Sequence, residues 1–191
     1  MISPFPPPEG KTSCLTFIPL LPKRWRSHQQ SSNRFGIRKM KIRLDDPSAQ
    51  HVANLLEFHL RELRDVMGEH AFALDASGLS APSVTFWTAW HDDALVGFAA
   101  LKQLNATQGE VKSMRAAPEA RGTGVGRALL AHIIAESRAR GYARLSLETG
   151  TAPLHTPAVS LYRSVGFVSC DAFADYEASP HNQFLCLDLS A

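Results

Sequence analysis

Hydrophobic residues recur at helical spacing in three parts of the chain. Between residues 48 and 67 the apolar positions fall three or four residues apart, with charged residues between them, which is typical of an amphipathic helix. The same period returns from about Gly124 to Arg140, where Gly141 follows as a stop signal, and more briefly within 156–167, near whose end Gly166 stands. The pattern therefore predicts three helices.

Runs that are rich in β-branched and aromatic residues separate these helices. Residues 84–90 and 94–104 flank "HDD", a turn signature, and so predict an antiparallel hairpin. Further strands are predicted at 40–46, 109–117, 143–150 and 182–190, and 75–83 is interpreted as a loop. The order is strand, helix, three antiparallel strands, helix, strand, helix, strands, which predicts an α/β fold with a mixed sheet.

The first 39 residues differ in composition from the rest of the chain. They hold six of the twelve prolines and seven basic residues against one acidic residue, whereas the remainder has thirteen basic and seventeen acidic residues. We predict a disordered, basic, proline-rich tail at 1–39 and one domain at 40–191. Met40 is a credible true start of the protein, and we hypothesise that the tail is translated upstream sequence.

Composition narrows the class of protein. The hydrophobic fraction of 45% and charged fraction of 20% are those of a globular protein, and no apolar run approaches the ~18 residues that a membrane span needs. The acidic balance of 40–191 does not indicate a nucleic-acid partner. Three cysteines without C-x-x-C spacing favour a reducing, cytoplasmic setting, and eight histidines without ligand spacing predict no metal site.

A glycine-rich stretch before the second helix carries the strongest chemical signal. Gly122, Gly124 and Gly126 follow Pro118 and open the helix, and backbone N–H groups at such a helix start can converge on a phosphate. A Walker loop is excluded because no lysine follows any of these glycines. The glycine spacing matches a nicotinamide-dinucleotide-binding loop only in part, since Leu129 stands where that loop has its third glycine. Dinucleotide binding is therefore kept as the weaker alternative.

The segment "ARGTGVGRALL" resembles the acyl-coenzyme-A loop of the GNAT superfamily of N-acetyltransferases, whose signature is met by Arg121, Gly124 and Gly126. The later "AVSLYRSVGF" is similar to the family's Ala-x-x-Leu-Tyr-x-x-x-Gly-Phe helix. The resemblance spans about Met40 to Ala191. The segments "GEVKSMR", "LETG" and "FADY" further indicate a small bacterial branch whose substrates are mostly unassigned.

The resemblance implies a mostly antiparallel sheet with a splayed central strand pair that binds acetyl-coenzyme A (acetyl-CoA). The acetyl group would pass directly to a primary amine of a small molecule or peptide. Loop amides would hold the pyrophosphate, the strand before the loop would pair with the pantetheine arm, and the N–H of Met114 would face the thioester oxygen. The implied cofactor residues are Met114, Arg115, Ala116, Arg121, Gly122, Thr123, Gly124, Val125, Gly126 and Arg127, together with Tyr162.

Catalytic roles follow from the same resemblance and from acid–base chemistry. Tyr162 is the expected general acid for the leaving thiolate, because the family places its Leu-Tyr tyrosine there. An alkylammonium acceptor must lose a proton, and Glu110 is the first choice as general base, with Glu148 second. Candidate residues for the acceptor pocket are His59, Arg64, Asp75, Phe86 and Trp87, with Glu148 at the opposite strand.

The sequence leaves several properties open. A catalytically silent acyl-CoA-binding sensor or interaction module would show the same loop, so it remains an alternative to the enzyme. Relatives commonly pair through their last strands, which makes a homodimer the expectation from resemblance. Neither motif nor periodicity constrains the acceptor or the acyl chain length.

Overall fold

The structure is a computed structural model that describes residues 40–68 and 74–190. The prediction made for residues 1–39 lies outside the described residues. Seven strands are present in this part of the chain: β1 (Lys41–Leu44), β2 (Val84–His91), β3 (Ala94–Gln103), β4 (Gln108–Ala116), β5 (Arg144–Gly150), β6 (Val168–Ser169) and β7 (Asn182–Asp188). The α-helices are α1 (Gln50–Met67), α2 (Ala76–Leu79), α3 (Val125–Ala139) and α4 (Thr156–Ser164).

The strands form one sheet in the order β1-β2-β3-β4-β5-β7-β6. Only β4 and β5 are parallel, and the other neighbours are antiparallel. The predicted mixed, mostly antiparallel sheet with flanking helices is therefore confirmed. The loop prediction for 75–83 is wrong at α2, because the Asp75 carboxylate accepts a hydrogen bond from the Gly78 N–H at 2.9 Å and caps a short helix. The two-residue strand β6 had no distinct hydrophobic pattern.

The two faces of the sheet carry different helices. On one face Phe86 and Phe98 pack against α1 in a buried cluster. On the other face Trp87 and Leu101 lie in a larger cluster with α3 and α4. Because side chains alternate along a strand, each strand of the hairpin contributes to both clusters.

Gly97 brings α3 close to the sheet. A Cβ atom at this position would stand 2.6 Å from the Arg115 carbonyl oxygen and 2.8 Å from Cγ1 of Val125. Only glycine leaves room for both neighbours, so the first turn of α3 can sit directly beside the end of β4.

A β-bulge interrupts β4 near its middle. Phe98 pairs with Arg115 and Ala100 pairs with Lys112, so two residues of β4 oppose one residue of β3. Ser113, the first of the two, has a left-handed backbone with φ of 47°. The extra residue reverses the alternation, so Arg115 faces the same side of the sheet as Glu110 and Lys112.

The parallel strands β4 and β5 separate after a short contact. They pair only from Gln108 to Glu110 on β4 and from Arg144 to Ser146 on β5, although both strands continue. The bulge lies just beyond the last paired residue. The two strands therefore splay at the centre of the sheet, as the family resemblance implies.

Across the described ranges 40–68 and 74–190, no helix has both the length and the apolar character required to cross a membrane. The same ranges contain no group of three or more histidine, cysteine or acidic side chains arranged to hold a metal ion.

Substitution of Ser113 should test the backbone strain at the bulge. Ser113→Val should lower the free energy of unfolding by about 1–3 kcal/mol, because a β-branched residue is poorly tolerated at positive φ. Ser113→Gly is the matched control and should keep or raise that free energy. Urea denaturation measures both variants, and equal stability of the two would contradict the left-handed geometry.

Candidate active site

The splayed strands leave a cleft of about 160 Å³ at the centre of the sheet. Its wall includes side chains and backbone of α1, β4, β5 and α4. The lining residues are His59, Leu63, Val111, Lys112, Ser113, Met114, Arg115, Glu148, Thr149, Gly150, Leu154, His155, Ala158 and Tyr162. Acidic, basic and phenolic groups thus meet in one small space.

The glycine loop forms an open cradle at the start of α3. Gly122 and Gly124 have φ values of 76° and 94°, and no atom lies within 4 Å of the position that a Cβ would occupy at either residue. Gly124 precedes the helix without any side-chain cap. The first N–H groups of α3 have no carbonyl one turn earlier, so these donors and the positive end of the helix fit a phosphate group.

The backbone of β4 directs a further N–H group toward the cleft. The Ala117 N–H donates to the Val96 carbonyl at 2.9 Å, toward β3. Because backbone N–H groups alternate in direction along a strand, that of Ala116 points the opposite way, toward the gap left by β5. This edge can accept an extended ligand as an added strand does.

Glu62 on α1 connects the end of β4 to the glycine loop. Its carboxylate forms ion pairs with Arg115 and with Arg121, the latter at 3.1 Å. Burial opposes ionisation of Glu62, but hydrogen bonds and positive charge from the two arginines outweigh it and hold its pKa below the ordinary value. The Arg115 guanidinium also lies 5.0 Å from the Phe58 ring, so α1 is held against the cleft on two sides.

Glu148 and Tyr162 face the cleft from β5 and α4. Burial raises the pKa of Glu148 to about 7, with Glu110 adding to the rise and Lys112 opposing it. Burial and then the Glu148 charge raise the pKa of the Tyr162 phenol, which keeps it protonated. A carboxylate that can accept a proton near neutral pH therefore lies near a phenol that holds one.

Glu110 belongs to a buried network behind the cleft. Its side chain is 1% exposed, accepts a hydrogen bond from the Tyr176 hydroxyl at 2.6 Å and pairs with Lys112 Nζ at 3.3 Å. Lys112 also contacts the Tyr176 hydroxyl. Of these three residues, Lys112 is the one that lines the cleft. Glu110 therefore affects the charge in the cleft chiefly through Lys112, its ion-pair partner.

A match to a known family model covers most of this architecture. The model described as the acetyltransferase (GNAT) family matches residues 49–167, which include the glycine loop, both splayed strands and α4. The chain belongs to the acetyltransferase (GNAT) family. It is accordingly an acyltransferase enzyme.

Relatives of this GNAT acetyltransferase match along most of their own length. Two are named uncharacterized N-acetyltransferases: YsnE of Bacillus subtilis, 42% identical over 76% of this chain and 97% of that one, and YedL of Escherichia coli, 42% identical over 78% and 94%. A GNAT family acetyltransferase from Elizabethkingia anophelis, solved with acetyl-CoA bound, has a TM-score of 0.57 at 17% identity and covers 78% of this chain and 97% of that one. This structural likeness shows the fold.

The structure of this GNAT acetyltransferase brings together only part of the predicted site. The predicted residues His59, Met114, Arg115, Glu148 and Tyr162 line the cleft, and the loop Arg121–Arg127 lies at the start of α3. Phe86 and Trp87 instead lie in the two hydrophobic clusters. Asp75 caps α2 and Arg64 is exposed on α1. None of these last four lines the cleft.

Glu62 and Tyr176 are among the residues at this site that had no predicted role. Glu62 lies three residues after His59 on α1, so helical spacing alone placed both on one face and could have indicated it. Tyr176 lies 66 residues from Glu110, in a segment without helical or strand periodicity. Only the tertiary structure brings its hydroxyl to that carboxylate.

Replacement of Glu62 should reveal how much the paired arginines depend on it. Glu62→Gln should lower the free energy of unfolding by about 1–2 kcal/mol, because the Arg115 side chain, 12% exposed, would keep its charge without an ionic partner. Glu57→Gln, on the solvent side of the same helix, should change it by less than about 0.5 kcal/mol. Chemical denaturation compares the two, and equal effects would rule out a structural role for the Glu62 pair.

Proposed function

We propose that this GNAT acetyltransferase moves the acetyl group of acetyl-CoA directly to a primary amine of a small molecule or peptide. The observation that carries the proposal is the meeting of three features at the splay: the open glycine cradle, the unpaired edge of β4, and a Glu148 carboxylate near a protonated Tyr162. The relative from Elizabethkingia anophelis, which holds acetyl-CoA, supports the choice of donor.

The residues fit the donor in two places. The cradle at Gly122 and Gly124 would hold the pyrophosphate, since open space and unpaired N–H donors lie together there. The N–H groups of Met114 and Ala116 would hydrogen-bond the pantetheine arm and the thioester oxygen. When bound, acetyl-CoA supplies a thioester whose acetyl carbon is the electrophile.

Glu148 is the better candidate for the general base. An amine substrate arrives mainly as an ammonium ion and must lose a proton before it can attack a carbonyl carbon. Glu148 lines the cleft and has a pKa of about 7, so its carboxylate can accept that proton near neutral pH. Glu110, the first choice from the sequence, has one carboxylate oxygen engaged by Tyr176 and Lys112 and lies behind the cleft wall.

Tyr162 supplies the matching acid. Its phenol lines the cleft, and its raised pKa keeps the proton on oxygen. As the C–S bond breaks, the hydroxyl can donate a hydrogen bond to the departing sulfur and pass its proton to it, and the tyrosine recovers a proton from the positively charged nitrogen of the tetrahedral intermediate. No covalent enzyme intermediate is required, because the amine is itself the nucleophile.

Calorimetric titration of the full chain with acetyl-CoA, coenzyme A and NADH tests the donor site. Acetyl-CoA and coenzyme A should bind and NADH should not, and Gly124→Glu should weaken binding by about tenfold or more, because a carboxylate would enter the phosphate cradle. Gly141→Glu is the matched control, since Gly141 also has positive φ and open space around it and ends the same helix. Binding of NADH alone would favour a dinucleotide site, and binding without any thiol release on an amine panel would favour a silent acyl-CoA sensor.

The pH profile tests the base. In the wild type kcat/KM should rise with pH through about 7, the pKa of Glu148, because only the ionised carboxylate accepts a proton, and should level off above it. Glu148→Gln should lower kcat/KM by about 10²–10⁴ and abolish its rise with pH. Glu110→Gln should retain the rise. If the rise instead persisted in Glu148→Gln and disappeared in Glu110→Gln, Glu110 would be the base.

A further inference from the structure

Unpaired polar atoms concentrate along the cleft. His59 is 6% exposed, and neither of its ring nitrogens has a hydrogen-bond partner. The buried Nε2 of His155 and Oε1 of Glu148 are also without a partner, and all three residues line the cleft. Buried polar atoms are normally paired, so this part of the cleft is shaped for a ligand that carries both donors and acceptors.

Charge divides the same space into two ends. At one end Arg115 and Arg121 share the single carboxylate of Glu62, which leaves an excess of positive charge. At the other end Glu110 and Glu148 stand near the single ammonium of Lys112, which leaves an excess of negative charge when both are ionised. A ligand with one positive and one negative group would complement both ends.

The two histidines belong to the positive end. The Arg115 charge acts on both rings, and together with burial, the larger cause, it lowers the pKa of His59 to about 4 and also lowers that of His155. Both imidazoles are therefore neutral at pH 7, and each has one N–H to donate. They can bind an anionic oxygen without adding a buried charge of their own.

We propose that the acceptor is a free amino acid or similar small amino-carboxylate, whose ammonium faces Glu148 and whose carboxylate binds His59 and His155 beside Arg115. The inference rests on the proposed function, because the amine that faces Glu148 is the one to be acetylated. The inference narrows the class of acceptor to small molecules that carry both an ammonium and a carboxylate group. A peptide N-terminus offers a neutral carbonyl in place of the carboxylate and makes weaker hydrogen bonds to the same donors.

The experiment compares matched acceptors on wild-type protein with saturating acetyl-CoA. L-Amino acids that span small, aromatic, acidic and basic side chains are each paired with their carboxamide and with the amine that lacks the carboxyl group, and thiol release is followed. Values of kcat/KM are expressed per ammonium form, the species that faces Glu148, because an amide lowers the pKa of its neighbouring amine. For the preferred side chain, the free acid should exceed both partners in kcat/KM by about tenfold or more, as expected when a buried donor is left unpaired.

Two variants then test whether His59 is responsible for the preference for the free acid. His59→Gln should raise KM for the amino acid and reduce the acid-over-amide preference to below about threefold, while KM for acetyl-CoA stays unchanged. His132→Gln is the matched control, since His132 on α3 also has a buried, unpartnered Nε2 but packs on Trp87 outside the cleft, and it should retain the full preference.

The outcomes separate this inference from the proposed function. Failure of the wild type to bind acetyl-CoA by calorimetry would overturn the proposed function itself. Binding of acetyl-CoA with equal or faster acetylation of the amides or simple amines, or with no acetylation of any amino acid, would overturn only the amino-carboxylate acceptor. A preference that survives in His59→Gln, or a raised KM for acetyl-CoA in that variant, would place His59 outside acceptor recognition.

Discussion

The separation of β4 from β5 is the constraint on which the rest of this molecule depends. Two parallel strands at the centre of a sheet would ordinarily pair along their whole length, because an unpaired backbone group in a protein interior is costly. Here they pair over three residues on each strand and then diverge at the bulge around Ser113. The unpaired backbone groups beyond that point require a ligand or water, and the fold places a glycine cradle and acid–base groups around them.

The bulge also determines which side chains meet. Without the extra residue, strict alternation would put Arg115 on the face opposite Glu110 and Lys112. With it, all three share the face that α1 covers, where Glu62 pairs with Arg115. The hydrophobic cluster around α3 keeps the other face apolar. A single backbone irregularity therefore concentrates the charged groups on one side of the cleft.

Glu110 and Glu148 show how two residues of the same type acquire different environments from their neighbours. Glu110 has a tyrosine donor and a lysine ion pair on one of its oxygens. Each carboxylate keeps one buried, unpartnered oxygen, but Glu148 lines the cleft and its desolvation raises its pKa. A proton acceptor needs both access and a pKa near the working pH. Among the buried charges of the described residues, Glu148 combines these two properties. Its neighbours act on its pKa in opposite directions, since Lys112 lowers it and Glu110 raises it.

The sequence by itself determined the fold class, most element bounds, the position of the glycine loop and the family, because helical period, strand composition and glycine spacing are local properties of the chain. It also named Tyr162 and both candidate carboxylates. Only the tertiary structure showed that Glu148 lines the cleft while Glu110 is paired with Tyr176, and that Phe86 and Trp87 lie in the core. Those features depend on contacts between residues far apart in the chain and on a bulge that reverses side-chain alternation, and neither leaves a periodic trace in the sequence.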